Sequence, residues 1–413
     1  MKFARFTRKI SKKEYSATFG IMLDGIYVMP ANEHDDYNKF ALSLLAGQMD
    51  FIHCIHDMGL KYAIELRCFF DPETPFRINV YFLIQNTDST KSKAIAESKK
   101  LENYFLNLLQ VINHLYQFKP VADKDRLNYL IEPFEFSNLA EIVRREDIIP
   151  LDSVRKKNAS HLGFGSSGSG SQIEKKEDES SWIYYIFPYL LNLNNMERLC
   201  NILFLQNYPC LISICMQPYS LTDKDEAGFE ARNNLCEKYS QLDFNSAGDI
   251  EQLAPFLKKQ ANALYKKCSE TLTRLEDAAF LQKVQIVSSH PIENEVAGIL
   301  GTAITEHAGH PKPAFNNEND QILTGGYDCY RPDNDDRLTI ALNNLKYMQF
   351  NSWIPGMADV DFKHWRYLFD VSQASAAFRL PFPLKAEFPG IDTLQFHHKT
   401  APADLPSSGL LIG

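Results

Sequence analysis

No apolar run in this chain approaches the ~20 residues needed to cross a bilayer as a helix. The best, Trp182 to Leu191, is short and contains Pro188. No C-x-x-C, G-x-S-x-G or H-E-x-x-H occurs, which removes the common redox, nucleophile-elbow and zinc signatures, although a dispersed triad needs no local motif. No G-x-x-x-x-G-K-[ST] occurs either, so the sequence carries no recognisable phosphate-binding loop. Basic residues are outnumbered, 43 Lys and Arg against 52 Asp and Glu for a net charge of −9. That balance excludes a broadly basic nucleic-acid surface and leaves room only for a local patch. The eight Cys are irregularly spaced, and several (Cys68, Cys215, Cys268) fall inside strand-like or helical runs, which reads as buried thiols rather than a disulfide framework. Residues 1–13 scatter six basic residues with no apolar stretch behind them, unlike a secretory signal. A cytoplasmic protein without membrane insertion is the expectation.

What is present is apolar material in quantity: 45% hydrophobic and 12% aromatic residues over 413 positions, enough for two or three domains. A strand is expected from Phe19 to Met29. A helix follows over Tyr37–Met58, where Phe40, Leu44, Leu45, Met49, Ile52 and Ile55 recur at three- and four-residue spacing. Tyr62, Ile64, Leu66, Cys68 and Phe70 then alternate with Lys61, Glu65 and Arg67, the pattern of a half-buried strand. Arg77–Ile84 returns as its hairpin partner. A long helix marked by Leu101, Tyr104, Phe105, Leu108, Leu109, Ile112 and Leu115 ends before Pro120.

Residues 155–181 change to Gly, Ser and charge and cannot bury enough apolar area to offset their ordering entropy, so a flexible linker is expected there. Its formal G-x-G-x-x-G at Gly163, Gly165 and Gly168 neither follows a strand nor opens a helix, and is set aside as a cofactor loop. Beyond it the order repeats: strands over Trp182–Leu191 and Cys210–Gln217 flank a helix over Asn195–Gln206. An acidic helix capped at Asp223 follows, then a helical insertion with Leu257, Ala261, Leu264, Cys268, Leu272, Leu275 and Ala279 on one face. A strand over Lys283–Val287 and a helix opened by Ser289-His-Pro complete it. The reading is α+β, with two ferredoxin-like (split βαβ) layers over 1–154 and 182–324 joined by the linker. The last segment, 325–413, holds a helix capped at Asp333, a strand over Trp365–Asp370, a short helix from Ser372 and a Pro-rich connector.

Candidate chemistry is sparse. His53 and His56 share a helix face that a metal could use, but two ligands are not a site. His307 with His310, and His397 with His398, stand no better. Asp333, Asp335 and Asp336 could face a hard cation, yet lack the Gly and terminal Glu of an EF-hand, and carboxylates at a helix N-terminus explain them more simply. No catalytic, cofactor-binding or metal residue is assigned.

The segment Ala376-Ala-Phe-Arg-Leu-Pro-Phe-Pro, Phe388-Pro-Gly-Ile and Gly409-Leu-Leu-Ile-Gly, with Phe280-Leu-Gln-Lys-Val-Gln-Ile-Val-Ser-Ser and Gly325-Gly-Tyr upstream, resembles the region just ahead of the nucleotide-binding core in HerA-like ATPases. These are bacterial translocases related to FtsK and to conjugation and secretion ATPases. The resemblance covers roughly Trp182 onward and rests on Pro, Gly and apolar residues that carry no chemistry. It implies that this chain is a non-catalytic accessory or assembly region, that ATP and Mg²⁺ belong to a module downstream of it, and that the full-length parent is a hexamer acting on DNA or a protein partner. The connector, 381–413, would then pair with the missing ATPase core, leaving Phe382, Leu384, Phe388, Ile391, Leu394, Phe396 and Leu410 to Ile412 loosely held without it. A stand-alone interaction or regulatory module without motor activity is the alternative.

Overall fold

The computed structural model describes residues 3–28, 37–59, 62–71, 78–111, 116–150, 182–190, 200–201, 203–204, 206–241, 254–305, 326–355, 360–381 and 390–395. Its elements begin with β1 (Phe6–Ser11), β2 (Glu14–Val28), α1 (Tyr37–Asp57), β3 (Tyr62–Phe70), β4 (Ile78–Asp88), α2 (Lys91–Val111), β5 (Tyr116–Pro120), α3 (Lys124–Ile131), β6 (Asn138–Arg144) and β7 (Glu146–Pro150). They continue with β8 (Trp182–Ile186), β9 (Cys210–Tyr219), α4 (Asp223–Gln241), α5 (Ala254–Asp277), β10 (Ala279–Ser288), α6 (Asn294–Thr305), β11 (Tyr327–Tyr330) and α7 (Asp335–Tyr347). A 3-10 helix (Val360–Tyr367), β12 (Leu368–Asp370), α8 (Val371–Ala377) and β13 (Thr393–Gln395) follow.

β3 and β9 sit side by side in the middle of the architecture because β3 is buried over its whole length, β9 everywhere but Gln217 and Tyr219, and each needs a neighbour on both edges. Their near-continuous apolar runs, such as Cys210-Leu-Ile-Ser-Ile-Cys-Met, are what a strand covered on both faces requires. Among the described residues an 11-stranded sheet runs β1-β2-β4-β3-β9-β10-β6-β11, with β5 and β13 on β2 and β12 on β10. All its pairings are antiparallel except β13 on β2. The fold is mixed α+β with a mostly antiparallel sheet. β7 and β8 make a separate two-stranded ribbon.

One face of the sheet carries Ile64, Leu66, Cys68, Ile212, Ile214, Phe280 and Ile286 against Ile52 and Ile55 of α1, Phe105 of α2, Leu300 of α6 and Ala374 of α8. The other carries Phe69, Tyr81, Leu211 and Val287 against Leu127 and Leu130 of α3 and Leu345 of α7. Each fully buried Ile or Leu in these layers contributes about 1.5–3 kcal/mol of transfer free energy.

The sheet crosses the 155–181 segment, which itself lies outside the described residues. β3 pairs with β9 and β6 with β10, so strands from 1–154 and 182–324 are neighbours rather than two separate layers. Burial on both faces drives this, since β3 and β9 would each otherwise expose an apolar edge. β3 itself is not half-buried as its alternation suggests: Glu65 and Arg67 are both at or below 1% exposure. The second long helix ends at Val111, and Tyr116–Pro120 forms β5, its Tyr116 and Phe118 packing into the core. α6 opens at Asn294, three residues after Pro291, and Trp365 belongs to the 3-10 helix rather than to a strand. In the connector, Ile391 is 9% exposed and Leu394 touches Gly25, while the Ile78 and Ile26 amides donate to Gly390 and Asp392 carbonyls. Those two residues are held by β2 and β4 rather than loose; Phe382, Leu384, Phe388, Phe396 and Leu410 to Ile412, and the Asn195–Gln206 helix apart from a few positions, lie outside the described residues.

Candidate anion-binding cleft

β6 ends on Arg144, and alternation along the strand aims its side chain at the face that the 3-10 helix, β12 and α8 cover. The guanidinium lies 4.1 Å over the Phe369 ring. It donates to the Arg366 carbonyl (3.2 Å), the Leu368 carbonyl (2.5 Å), the Trp365 carbonyl and Gln373 Oε1 (2.8 Å). Every partner is a neutral dipole, and the residue is 4% exposed. Burial pushes its pKa down to about 10, and the Asp370 and Glu146 carboxylates offset only part of that. Asp370 and Glu146 make their own bonds elsewhere. Asp370 caps α8 by accepting from Gln373 N and Nε2, both at 2.9 Å. Glu146 takes a two-pronged contact from Arg366, Nε at 2.9 Å and Nη2 at 2.7 Å, and accepts from Tyr184 Oη at 2.6 Å.

The neighbouring web centres on Asp225, the third residue of α4. Thr222 and Asp225 form a capping box: Asp225 N donates to Thr222 Oγ1 at 3.2 Å and Thr222 N to Asp225 Oδ2 at 3.0 Å. The cap is therefore Thr222, one residue before the expected Asp223, which is the first residue of the helix. Asp225 Oδ1 also takes the Trp365 indole N–H and bonds His364 Nε2, each at 2.7 Å, and Oδ2 accepts from Tyr219 Oη at 2.9 Å. Burial pushes this carboxyl up, but the hydrogen bonds from Thr222, Trp365 and Tyr219 outweigh it and hold it below the usual carboxylate range. Trp365 stacks on Phe229 with centroids 4.1 Å apart and 6° between planes. The approach is so close that a Cβ on Gly228 would stand 2.9 Å from the indole ring.

Between these webs and α5 lies a cleft of about 150 Å³, room for one group of benzene size. Its walls carry four cations, Arg144, Arg232, Lys267 and Arg274, against one carboxylate, Glu270. Arg232 lies 4.9 Å over Phe229 and 5.8 Å over Trp365, and its buried Nε donates no hydrogen bond within the structure. Arg274 and Glu270 approach at 3.8 Å on the exposed face of α5. A buried guanidinium solvated only by carbonyls, beside a second guanidinium with an unused donor, makes a positive potential in a low-dielectric recess. Chemically, the arrangement can hold one phosphate- or carboxylate-sized anion.

A second set of buried charges sits on the opposite face of the sheet and differs in kind. Tyr81, Arg67, Ser213, Gln285, Glu141 and Tyr330 are successive cross-strand partners. Arg67 Nε stands 2.9 Å from Glu65 Oε1, and its Nη1 donates to the Leu130 (3.0 Å) and Ile131 (2.8 Å) carbonyls at the end of α3, where a cation suits the helix dipole. Glu141 accepts from Gln285 Nε2 (2.7 Å) and Trp353 Nε1 (3.1 Å). Lys283 donates to the Gln349 carbonyl and lies 4.6 Å from the Phe350 ring centroid. Two carboxylates balance two cations here.

The residues singled out in the sequence are not brought together. His53 approaches Asp277 at 4.0 Å, whereas His56 meets the Phe280 ring edge and Asp57. Asp333 accepts from Arg337 Nη1 at 2.7 Å, and the α7 cap is Asn334, not Asp333. Asp335 and Asp336 fill the first turn. His307, His310, His397 and His398 lie outside the described residues, as do Gly163, Gly165 and Gly168. Among the described residues no three His, Cys, Asp or Glu converge as a metal site, and no helix is long and apolar enough to cross a membrane. Sequence reasoning missed Arg144, Arg232, Asp225 and His364; only the Thr222-x-x-Asp225 spacing signals any of them. No family model matches this sequence, and no curated protein matches it.

Proposed function

We propose that this chain is a binding region without chemistry of its own, which holds an anionic group of the DNA or protein it positions, and that it lies ahead of the motor of a HerA-like ATP-dependent translocase. The cleft carries the binding half of this reading: four cations on its walls, one of them a fully buried Arg144 with only neutral partners. The motor half rests on the resemblance of 376–383, 388–391 and 409–413, and with it go ATP and Mg²⁺ in a downstream module and a hexameric ring. A second reading, a stand-alone interaction module, is favoured by one observation: residues 390–395 of the connector fold back, with β13 on β2, and just ahead of it the Gln48 amide is bonded to both the N–H and the carbonyl of Leu380.

Trp365 lies in the cleft and reports on its occupant. Titration with inorganic phosphate, against chloride at equal ionic strength, is expected to change tryptophan emission saturably and raise the melting temperature. Arg232→Ala is expected to remove both responses while leaving the ligand-free melting temperature nearly unchanged. A phosphate response equal to that of chloride, or one unaltered in Arg232→Ala, would sink the binding half. The motor half fails separately, if a chain extended by its natural downstream sequence contains no nucleotide-binding module.

A further inference from the structure

The cleft beside α5 is closed on one side and open on the other. Arg144, Trp365, Leu368 and Gln373, none above 6% exposure, close its inner end. The Nε, Nη1 and Nη2 of Arg144 already donate to neighbours there, so that guanidinium supplies charge to the floor and few donors. Lys267 and Arg274, both exposed, mark the mouth. With Thr271 between them they stand at i, i+4 and i+7, on one face of α5. A group enters end-on past that stripe and stops at the floor. The cations at the wall are not equivalent. Arg274 shares its 3.8 Å contact with Glu270, whereas the half-buried Arg232 and the exposed Lys267 make no ion pair among the described residues.

We propose that the cleft takes a phosphomonoester, the end group of a phosphorylated protein side chain, and not the phosphodiester of a nucleic-acid backbone. This rests on the anion-binding reading of the cleft and narrows it. A monoester at neutral pH carries nearly two negative charges and a single carbon arm. Its charges match the two uncompensated cations, Arg232 and Lys267, and its arm leaves through the mouth. A diester carries one charge and needs an exit on both sides, which a recess closed behind by Arg144, Trp365, Leu368 and Gln373 does not give. The source is a protein segment because a nucleic-acid strand lays a further negative charge outside the mouth with each nucleotide, against a chain whose own net charge is −9. A phosphorylated side chain brings its charge to one point.

The test compares inorganic phosphate, methyl phosphate, methyl sulfate (one arm, one charge) and dimethyl phosphate (two arms, one charge) on the full chain. Trp365 emission is the readout, at constant ionic strength and about pH 7.5, where the monoester is close to a dianion. Methyl phosphate is expected to bind within about threefold of inorganic phosphate, and each monoanion at least roughly tenfold more weakly than methyl phosphate, the loss of one charged hydrogen bond. In Lys267→Ala, a change at an exposed helix position, the preference for methyl phosphate over methyl sulfate is expected to vanish. A capped phosphoserine tripeptide is expected to bind at least as tightly as methyl phosphate, and its unphosphorylated form not at all.

Methyl sulfate or dimethyl phosphate binding as tightly as methyl phosphate would overturn the proposal and leave anion binding by the cleft intact. No response to any of these anions beyond that of chloride removes both. A 5′-phosphorylated trinucleotide that binds more tightly than the phosphopeptide overturns the protein source and assigns the cleft to a nucleic-acid end.

Discussion

The two buried charge clusters lie on opposite faces of one sheet and handle the same problem in different ways. On the α3 and α7 side, Glu65 and Arg67 pair at 2.9 Å, and Glu141 and Lys283 complete a balanced set. No charge is left over, and the strands close around it. On the α5 and α8 side, Arg144 is buried with carbonyls for company and borders open space. A balanced cluster costs desolvation and gives back geometry, which suits a structural role. The second cluster is only partly offset by the nearby Asp370 and Glu146 carboxylates and borders open space, which is the physical difference that the proposed anion binding draws on.

The largest expected effect sharpens the first half of that contrast. Arg67→Met strands the Glu65 carboxylate at 0% exposure and is expected to cost about 3–5 kcal/mol in urea unfolding; the double variant Arg67→Met with Glu65→Leu should recover much of it. A double variant no more stable than the single one would mean that the pair is not the unit. Next, saturating phosphate should stabilise the unaltered chain by about 2.7 kcal/mol at a hundredfold excess over the dissociation constant, and leave Arg67→Met equally responsive. If that variant loses the response, the two clusters are coupled and the contrast breaks.

Gly228→Ala is expected to cost about 1–3 kcal/mol by overpacking the Trp365 ring and to weaken phosphate binding, read by the same titration. Acid should also separate the faces. The Asp225 carboxyl is depressed in the folded state, so its contribution is present above the ordinary carboxylate pKa and is lost as pH falls through the folded value. Thermal melts of Asp225→Asn should therefore converge with the unaltered chain in acid. Curves that stay parallel would remove Asp225 as the acid-sensitive group. Smallest, Asn334→Ala removes the α7 cap and should cost about 1 kcal/mol, with no effect on the cleft.

How much of this was legible in the sequence follows from what each pattern encodes. Periodicity found α1, the β3–β4 hairpin and β9 because apolar spacing reports the covered face directly. It misjudged Glu65 and Arg67 because a charge on a strand reads as a solvated face, and only a partner on the same strand two residues away makes burial tolerable. The strand neighbours of β3 were invisible, since pairing between residues 64 and 216 leaves no local trace. The cleft was invisible for the same reason: Arg144, Arg232, Lys267 and Trp365 come from four elements, and none carries a motif. What the Thr222-x-x-Asp225 box could have indicated was the start of α4, not the His364 and Trp365 that converge on it.

The pairing of β13 with β2 joins Tyr27 to Leu394, and that separation sets a timetable. During synthesis at ~5–20 residues per second, the end of β2 waits roughly 20–70 s before its parallel partner leaves the ribosome. Non-local pairings of this kind slow folding further. Throughout that interval the edge of β2 that β13 will cover, Ile26 to Val28, has no strand to pair with.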